Sequence, residues 1–207
     1  MKTIQCLLDS NNQISLDELT LGRRIANLHK EHLWGDRRAA FIDTIVIHYA
    51  SAADLAPKRR FDALTVMRIF CDLGVSSHYL IDRKGTVYQL VPEGKKAWHC
   101  GGSIMPAPDD RQGVNEFSIG IELIATGVSG FTIKQYSSLG ALCADIEKRY
   151  GRKMIYLGHQ DIAGKRAVDL GLRKDAKTDP GNNLDWGKFK QCLTLQKAKI
   201  CKNPLDV

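Results

Sequence analysis

The chain has 207 residues, 43% hydrophobic and 26% charged, ordinary values for one globular domain with a sizeable core. No stretch approaches the ~20 consecutive apolar residues that a membrane-spanning helix needs. The formal charge of +7 is uneven: residues 148–207 hold 14 Lys and Arg against 6 Asp and Glu, whereas residues 42–147 hold 10 against 12.

A basic C-terminal quarter suits an anionic partner or a solvated Lys-rich helix face. No aromatic-interleaved basic stripe accompanies it, so nucleic acid is not an expected partner. Met1–Ser10 carries one Lys and only a short apolar run, Cys6–Leu8, without the apolar segment of a secretory signal. The expectation is a cytoplasmic protein. The six cysteines form no CxxC pair, so free and mostly buried thiols are expected.

In chain order, Ile25 and Leu28 near helical spacing predict a helix around 17–31. Asp43–Tyr49 is a β-branched run of strand length, buried on both faces. A helix follows over Asp62–Asp72, with Gly74 placed to end it. Ser77–Asp82 and Thr86–Val91 flank Arg83-Lys84-Gly85, a hairpin signal. Residues 101–116 are rich in Gly and Pro and predict a long loop, a common place for function. Phe117–Ile124 reads as a strand, Thr132–Tyr150 as an amphipathic helix ended by Gly151, and Met154–Leu157 as a short strand running into Gly158-His159. Residues 160–183 read as loop and Leu184–Ile200 as a final helix. Interleaved strands and helices with one hairpin predict an α/β fold: a single domain with a central mixed β-sheet flanked by helices.

His48 follows the apolar run Ile45-Val46-Ile47, His159 follows a second strand, and Asp179 lies in the turn Lys177-Thr178-Asp179-Pro180-Gly181. Strand ends and tight turns hold side chains stiffly, as a metal site requires. Two imidazoles and a carboxylate suit zinc and leave a fourth position for water. Taken alone, each residue fits equally well as a structural histidine or a plain turn. Glu122 sits among Ile119, Ile121 and Leu123 and must be paired, protonated or functional, because an unpaired buried charge is costly.

Six blocks then occur in order: Ile47-His48-Tyr49, Ser76–Ile81, Ala97–Gly101, Asn115–Leu123, Gly158–Ala163 and Lys177–Gly181. Together they resemble the zinc-dependent N-acetylmuramoyl-L-alanine amidases of the AmpD-like type, within the superfamily of amidase type 2 and peptidoglycan recognition proteins. The resemblance implies an amidase domain over 42–207, with residues 1–41 as an extension packed on it. It implies one zinc ion held by His48, His159 and Asp179, and Glu122 and Lys177 as the catalytic pair. It implies a substrate groove lined by Trp98, His99 and Asn115. The implied substrate is a muropeptide, with the 1,6-anhydro sugar of recycling, and no obligate protein partner is evident. His78 matches a family histidine that is not a ligand.

Three departures stand out. His159 and Asp179 lie twenty residues apart, about twice the usual spacing, with Lys165, Arg166, Arg173 and Lys174 in the insertion Gly164–Ala176. A basic rim over the groove is the expectation. Ser77 stands where some phage relatives carry a catalytic Tyr, and Gly113 where relatives carry an Arg, with Arg111 close enough to take its place at the substrate.

Overall fold

The computed structural model describes residues 2–16, 19–38 and 41–201. Six strands form the central sheet: β1 (Thr3–Gln5), β2 (Thr44–Ala50), β3 (Tyr79–Ile81), β4 (Val87–Gln89), β5 (Ser118–Ile124) and β6 (Ile155–Gly158). Their spatial order is β1-β4-β3-β5-β2-β6. Only β3 and β4, the expected hairpin, pair antiparallel; every other neighbour is parallel. The mixed sheet is therefore as expected.

The helices are α1 (Leu21–Asn27), α2 (Ala63–Leu73), α3 (Ile133–Tyr150), α4 (His159–Ala163), α5 (Lys165–Asp169) and α6 (Trp186–Cys201). α3 begins with a capping box, in which Thr132 and Gln135 satisfy each other's backbone N–H groups. α2 and α3 end at Gly74 and Gly151, with φ of 64° and 63°, a left-handed geometry that glycine adopts without a Cβ clash.

Strand alternation divides the core. Ile45, Ile47, Ile119, Ile121 and Leu123 face α3 and α6, meeting Leu139, Leu142, Ile146 and Phe189. The opposite face carries Val46 and His48 on β2 and Gly120 and Glu122 on β5. There α1 and α2 pack with Leu8, Leu33, Leu80 and Ile124, and Val46 meets Met105, Val114, Phe117 and Ile162. His48 and Glu122 therefore face away from the large helical layer.

Two features differ from the sequence expectations. Residues 159–169 are two five-residue helices rather than loop; each is about one turn long, too short for periodicity to register. The N-terminal segment adds β1 to the edge of the sheet and sends Cys6, Leu8, Leu21, Ile25 and Leu33 into the second core cluster. Its Arg37 donates to the carbonyls of Glu93, Asn115, Glu116 and Ser118 at 2.8–3.0 Å. Burial pushes this guanidinium down to about 10, so it stays charged at neutral pH. Cys6, Cys71, Cys100, Cys143 and Cys192 are free thiols, as expected. Among the described residues no helix is long and apolar enough to cross a membrane.

Candidate metal centre

Parallel pairing assembles the site at the C-terminal ends of three adjacent strands. The register sets His48 directly beside Glu122, and Ile47 beside Gly158, so that His159 follows at the next position. Side chains at the carboxyl ends of parallel strands open into the crevice where α/β folds commonly bind ligands. α4 starts at His159, its first turn fixed by Asp161 Oδ2 accepting the Gly158 N–H at 2.7 Å. Asp179 is brought back to it by two backbone bonds: Gln160 N–H to the Asp179 carbonyl and Lys177 N–H to the Ala163 carbonyl, both 2.9 Å. The long insertion thus leaves the ligand turn in place.

His48 Nδ1 lies 3.2 Å from Asp179 Oδ2, and His159 Nδ1 lies 3.1 Å from Asp179 Oδ1. One ligand atom from each residue falls within 4.8 Å of the others. His48 and His159 are 1% and 5% exposed, so this is an interior cluster rather than a surface coincidence. Burial opposes ionisation of Asp179, but hydrogen bonds from His159 and His48 outweigh it and hold the carboxyl far below its ordinary range. Burial also pushes His159 down to about 4, so its imidazole is neutral at pH 7 and able to ligate.

Two buried polar atoms at this point have no hydrogen-bond partner: His159 Nε2 and Glu122 Oε2. Buried polar groups are normally satisfied, so two orphans at one cluster mark a place for a ligand. Burial pushes Glu122 up to about 7; Asp179 adds to the rise, while His48 and Lys177 oppose it. Two imidazoles and a carboxylate with ligand atoms within 4.8 Å of one another fit a zinc ion. Lys177 is exposed at the rim, close enough to act on Glu122 and His159 electrostatically.

The remaining site candidates divide. Trp98 is half-buried, with Lys30 Nζ 4.4 Å from its ring centroid. Asn115 Oδ1 is spent within the fold, accepting from the Cys100 N–H at 2.9 Å and the His99 N–H at 3.3 Å. His99 is half-buried; its Nδ1 lies 3.0 Å from His48 Nε2 and its Nε2 lies 3.2 Å from Ser118 Oγ. Burial, then repulsion from His48, holds its imidazole neutral.

Arg111 is not brought to the cluster. It pairs with Asp109 at 2.7 Å and with Asp43 at 2.9 Å. Asp43 precedes β2, so Arg111 sits at the opposite end of the strand from His48, and its expected place at the substrate is corrected. In the expected basic rim Lys165 pairs with Asp169, Arg166 with Asp110, and Arg173 donates to the Gly101 carbonyl; Lys165, Arg166, Lys174 and Lys177 are all exposed. Ser77 is buried and donates to the Tyr79 carbonyl at 3.0 Å, which suits a structural rather than a reactive hydroxyl. His78 accepts the Gly120 N–H at 2.9 Å and lies 3.0 Å from the Lys95 carbonyl, the structural placement expected of it. Cys100 is buried, its thiol pushed up to about 12 by burial, and is no nucleophile at neutral pH. Arg37, Ser118 and Gly120 complete the surroundings of His99; only Arg37 lies outside the sequence blocks, and no local signal marks it.

A mixed α/β sheet with a His-His-Asp cluster and an unpaired carboxylate at its strand ends is an arrangement that fits a metal-dependent hydrolase. The sequence profile of the N-acetylmuramoyl-L-alanine amidase family matches residues 37–182, and the chain belongs to that family. It is similar to the 1,6-anhydro-N-acetylmuramyl-L-alanine amidase AmpD of Citrobacter freundii, 39% identical over 127 residues, covering 61% of this chain and 62% of that protein. The AmpD of Escherichia coli K12 is 38% identical over 124 residues, covering 60% and 61%. The match thus spans less than two thirds of the length of these relatives. A selenomethionine AmpD structure superposes with a TM-score of 0.59 at 31% identity, covering 77% of this chain and 89% of that one. E. coli AmiD, in complex with anhydro-N-acetylmuramic acid-L-Ala-D-γ-Glu-L-Lys, gives 0.53 at 30% identity, covering 76% and 60%.

Proposed function

We propose that this chain is a zinc amidase that hydrolyses the amide between the lactyl group of N-acetylmuramic acid and L-Ala in peptidoglycan fragments, with the 1,6-anhydro sugar preferred. The observation that carries the reading is Glu122 Oε2, buried and unpartnered, on the strand position beside His48. A carboxylate so placed, with its affinity for protons raised toward neutrality, is poised as a general base. AmpD relatives named for the anhydro substrate, and AmiD bound to an anhydro-muramyl peptide, support the substrate class.

His48, His159 and Asp179 would hold the zinc. Zinc, when bound, supplies a Lewis acid that brings the pKa of a water from 15.7 toward about 7 and polarises a carbonyl. Glu122 takes a proton from the attacking water at a carboxylate oxygen. As the carbon–oxygen bond forms and the carbon–nitrogen bond breaks, the same oxygen returns that proton to the L-Ala nitrogen. Lys177 Nζ, at the rim, donates to the oxygen of the carbonyl as negative charge develops on it. The stem-peptide carboxylates then meet a rim carrying Lys174 and Lys177.

The test is to incubate metal-quantified protein with a soluble anhydro-muropeptide and, in parallel, with intact sacculi, each with and without a chelator, and to identify products by mass. Chelator-sensitive release of free stem peptide from the soluble substrate is the expected result. Release from sacculi alone would assign a wall-degrading lysin instead. Zinc binding without release from either would leave a peptidoglycan-binding module and overturn the amidase reading.

A further inference from the structure

His99 occupies the nitrogen of His48 that turns away from Asp179. His48 Nε2 to His99 Nδ1 is 3.0 Å, the two rings cross at 86°, and their centroids are 5.1 Å apart. The far nitrogen, His99 Nε2, is 3.2 Å from Ser118 Oγ. A metal-ligating histidine characteristically donates its other ring N–H to an acceptor that fixes its tautomer and plane. Here that acceptor is a second imidazole.

We infer that His99 is a positioning residue of the metal centre: its Nδ1 accepts the Nε2–H of His48 and so keeps the Nδ1 lone pair of His48 aimed at the Asp179 side. The inference rests on the metal-centre reading above. Without a metal the bonds fit either direction, since His48 Nδ1 can then donate to Asp179; a metal on the Nδ1 lone pair of His48 would leave one proton arrangement. In that arrangement His48 carries its proton on Nε2, His99 carries its own on Nε2, and Ser118 Oγ accepts the latter.

The support behind the ring is built from three segments. The imidazole lies flat against β5 at Gly120, where a Cβ would stand 2.5 Å from His99 Cγ, so no larger residue leaves room for it. Asn115 Oδ1 holds the backbone of His99 and Cys100. Arg37 clamps the carbonyls of Asn115, Glu116 and Ser118, which fixes both the Asn115 turn and the strand residue that anchors His99 Nε2. A ring held this way reaches the metal only through His48, so its effect should show in metal affinity before it shows in turnover.

The experiment measures zinc affinity by competition with a chromogenic chelator, alongside thermal unfolding of each metal-free protein. His99→Phe keeps a ring but removes both nitrogens; His99→Asn keeps an acceptor near the Nδ1 position. The expected result is a ~10–100-fold weaker zinc affinity for His99→Phe, with most of the loss recovered in His99→Asn. Ser118→Ala removes only the far anchor and should weaken zinc by a smaller factor, roughly three- to tenfold; it carries the test if the Phe variant does not fold. Wild-type affinity in both His99→Phe and Ser118→Ala would overturn the inference. So would a lower unfolding temperature with unchanged affinity, or an Asn variant no better than Phe. Failure of the wild-type protein itself to bind one zinc, or indifference of binding to His48→Ala, would instead overturn the metal-centre reading on which the inference rests.

Discussion

Replacing Glu122 with Gln removes a charge that the metal-free fold resists. The carboxyl rises from 4.5 to about 7, chiefly because burial penalises the ionised form. At 1.36 kcal/mol per pKa unit, ionising it in the folded, metal-free protein costs about 3 kcal/mol more than in the unfolded chain. The sign follows from proton binding. The folded pKa lies above the unfolded one, so stability is complete below pH 4.5 and is lost as pH rises to about 7. Metal-free Glu122→Gln has no such carboxyl and should exceed the parent by about 3 kcal/mol at pH 8. At pH 5 the two should differ by less than about 1 kcal/mol. For a chain of this size that is an increase of roughly 6–12 °C in Tm at pH 8. Thermal unfolding of both proteins with chelator present, at the two pH values, reads it directly. Added zinc should shrink the gap, because a nearby cation favours the carboxylate. The same variant should retain zinc and lose turnover by ~10²–10⁴-fold. Equal stability at pH 8 would mean that water reaches Glu122, and the argument for a buried base would fail.

Other consequences are equally direct. The acid limb of kcat/KM should fall at or below about pH 7, since the base must be ionised, and a zinc ion beside it moves the limb lower; rates across pH 4–9 check this. Lys177→Ala should lower kcat by ~10²–10³-fold while zinc content stays at one per chain, by steady-state kinetics and metal analysis. Asp179→Ala removes the carboxylate among the three candidate ligands and should leave the protein without zinc after dialysis. Arg37→Met strips donors from four carbonyls; at ~1–3 kcal/mol for each buried group left unsatisfied, it should cost 3 kcal/mol or more by urea unfolding.

Much of this protein is legible in its sequence. The β-branched run before His48, the capped and glycine-ended pattern of α3, and the turn at Asp179 are local, because periodicity, caps and turn residues act over one or a few turns of chain. The six blocks pointed to the family and to the residues of the His-His-Asp cluster, because such side chains sit in segments whose neighbours hold them. Distance along the chain hid the rest. Only the parallel register of β2 and β5 sets Glu122 beside His48, and only the fold turns Arg111 to Asp43 at the far end of that strand. The one-turn helices α4 and α5 carry too few residues to show a period, and β1 is a three-residue edge whose partner lies more than eighty residues away. Gly120 in the strand beneath His99 gives its ring room to lie behind His48, a contact that no local pattern announces. Side-chain chemistry is written residue by residue. Which groups meet is decided by strand register and by main-chain carbonyls that a distant arginine can clamp, and neither has a local signature.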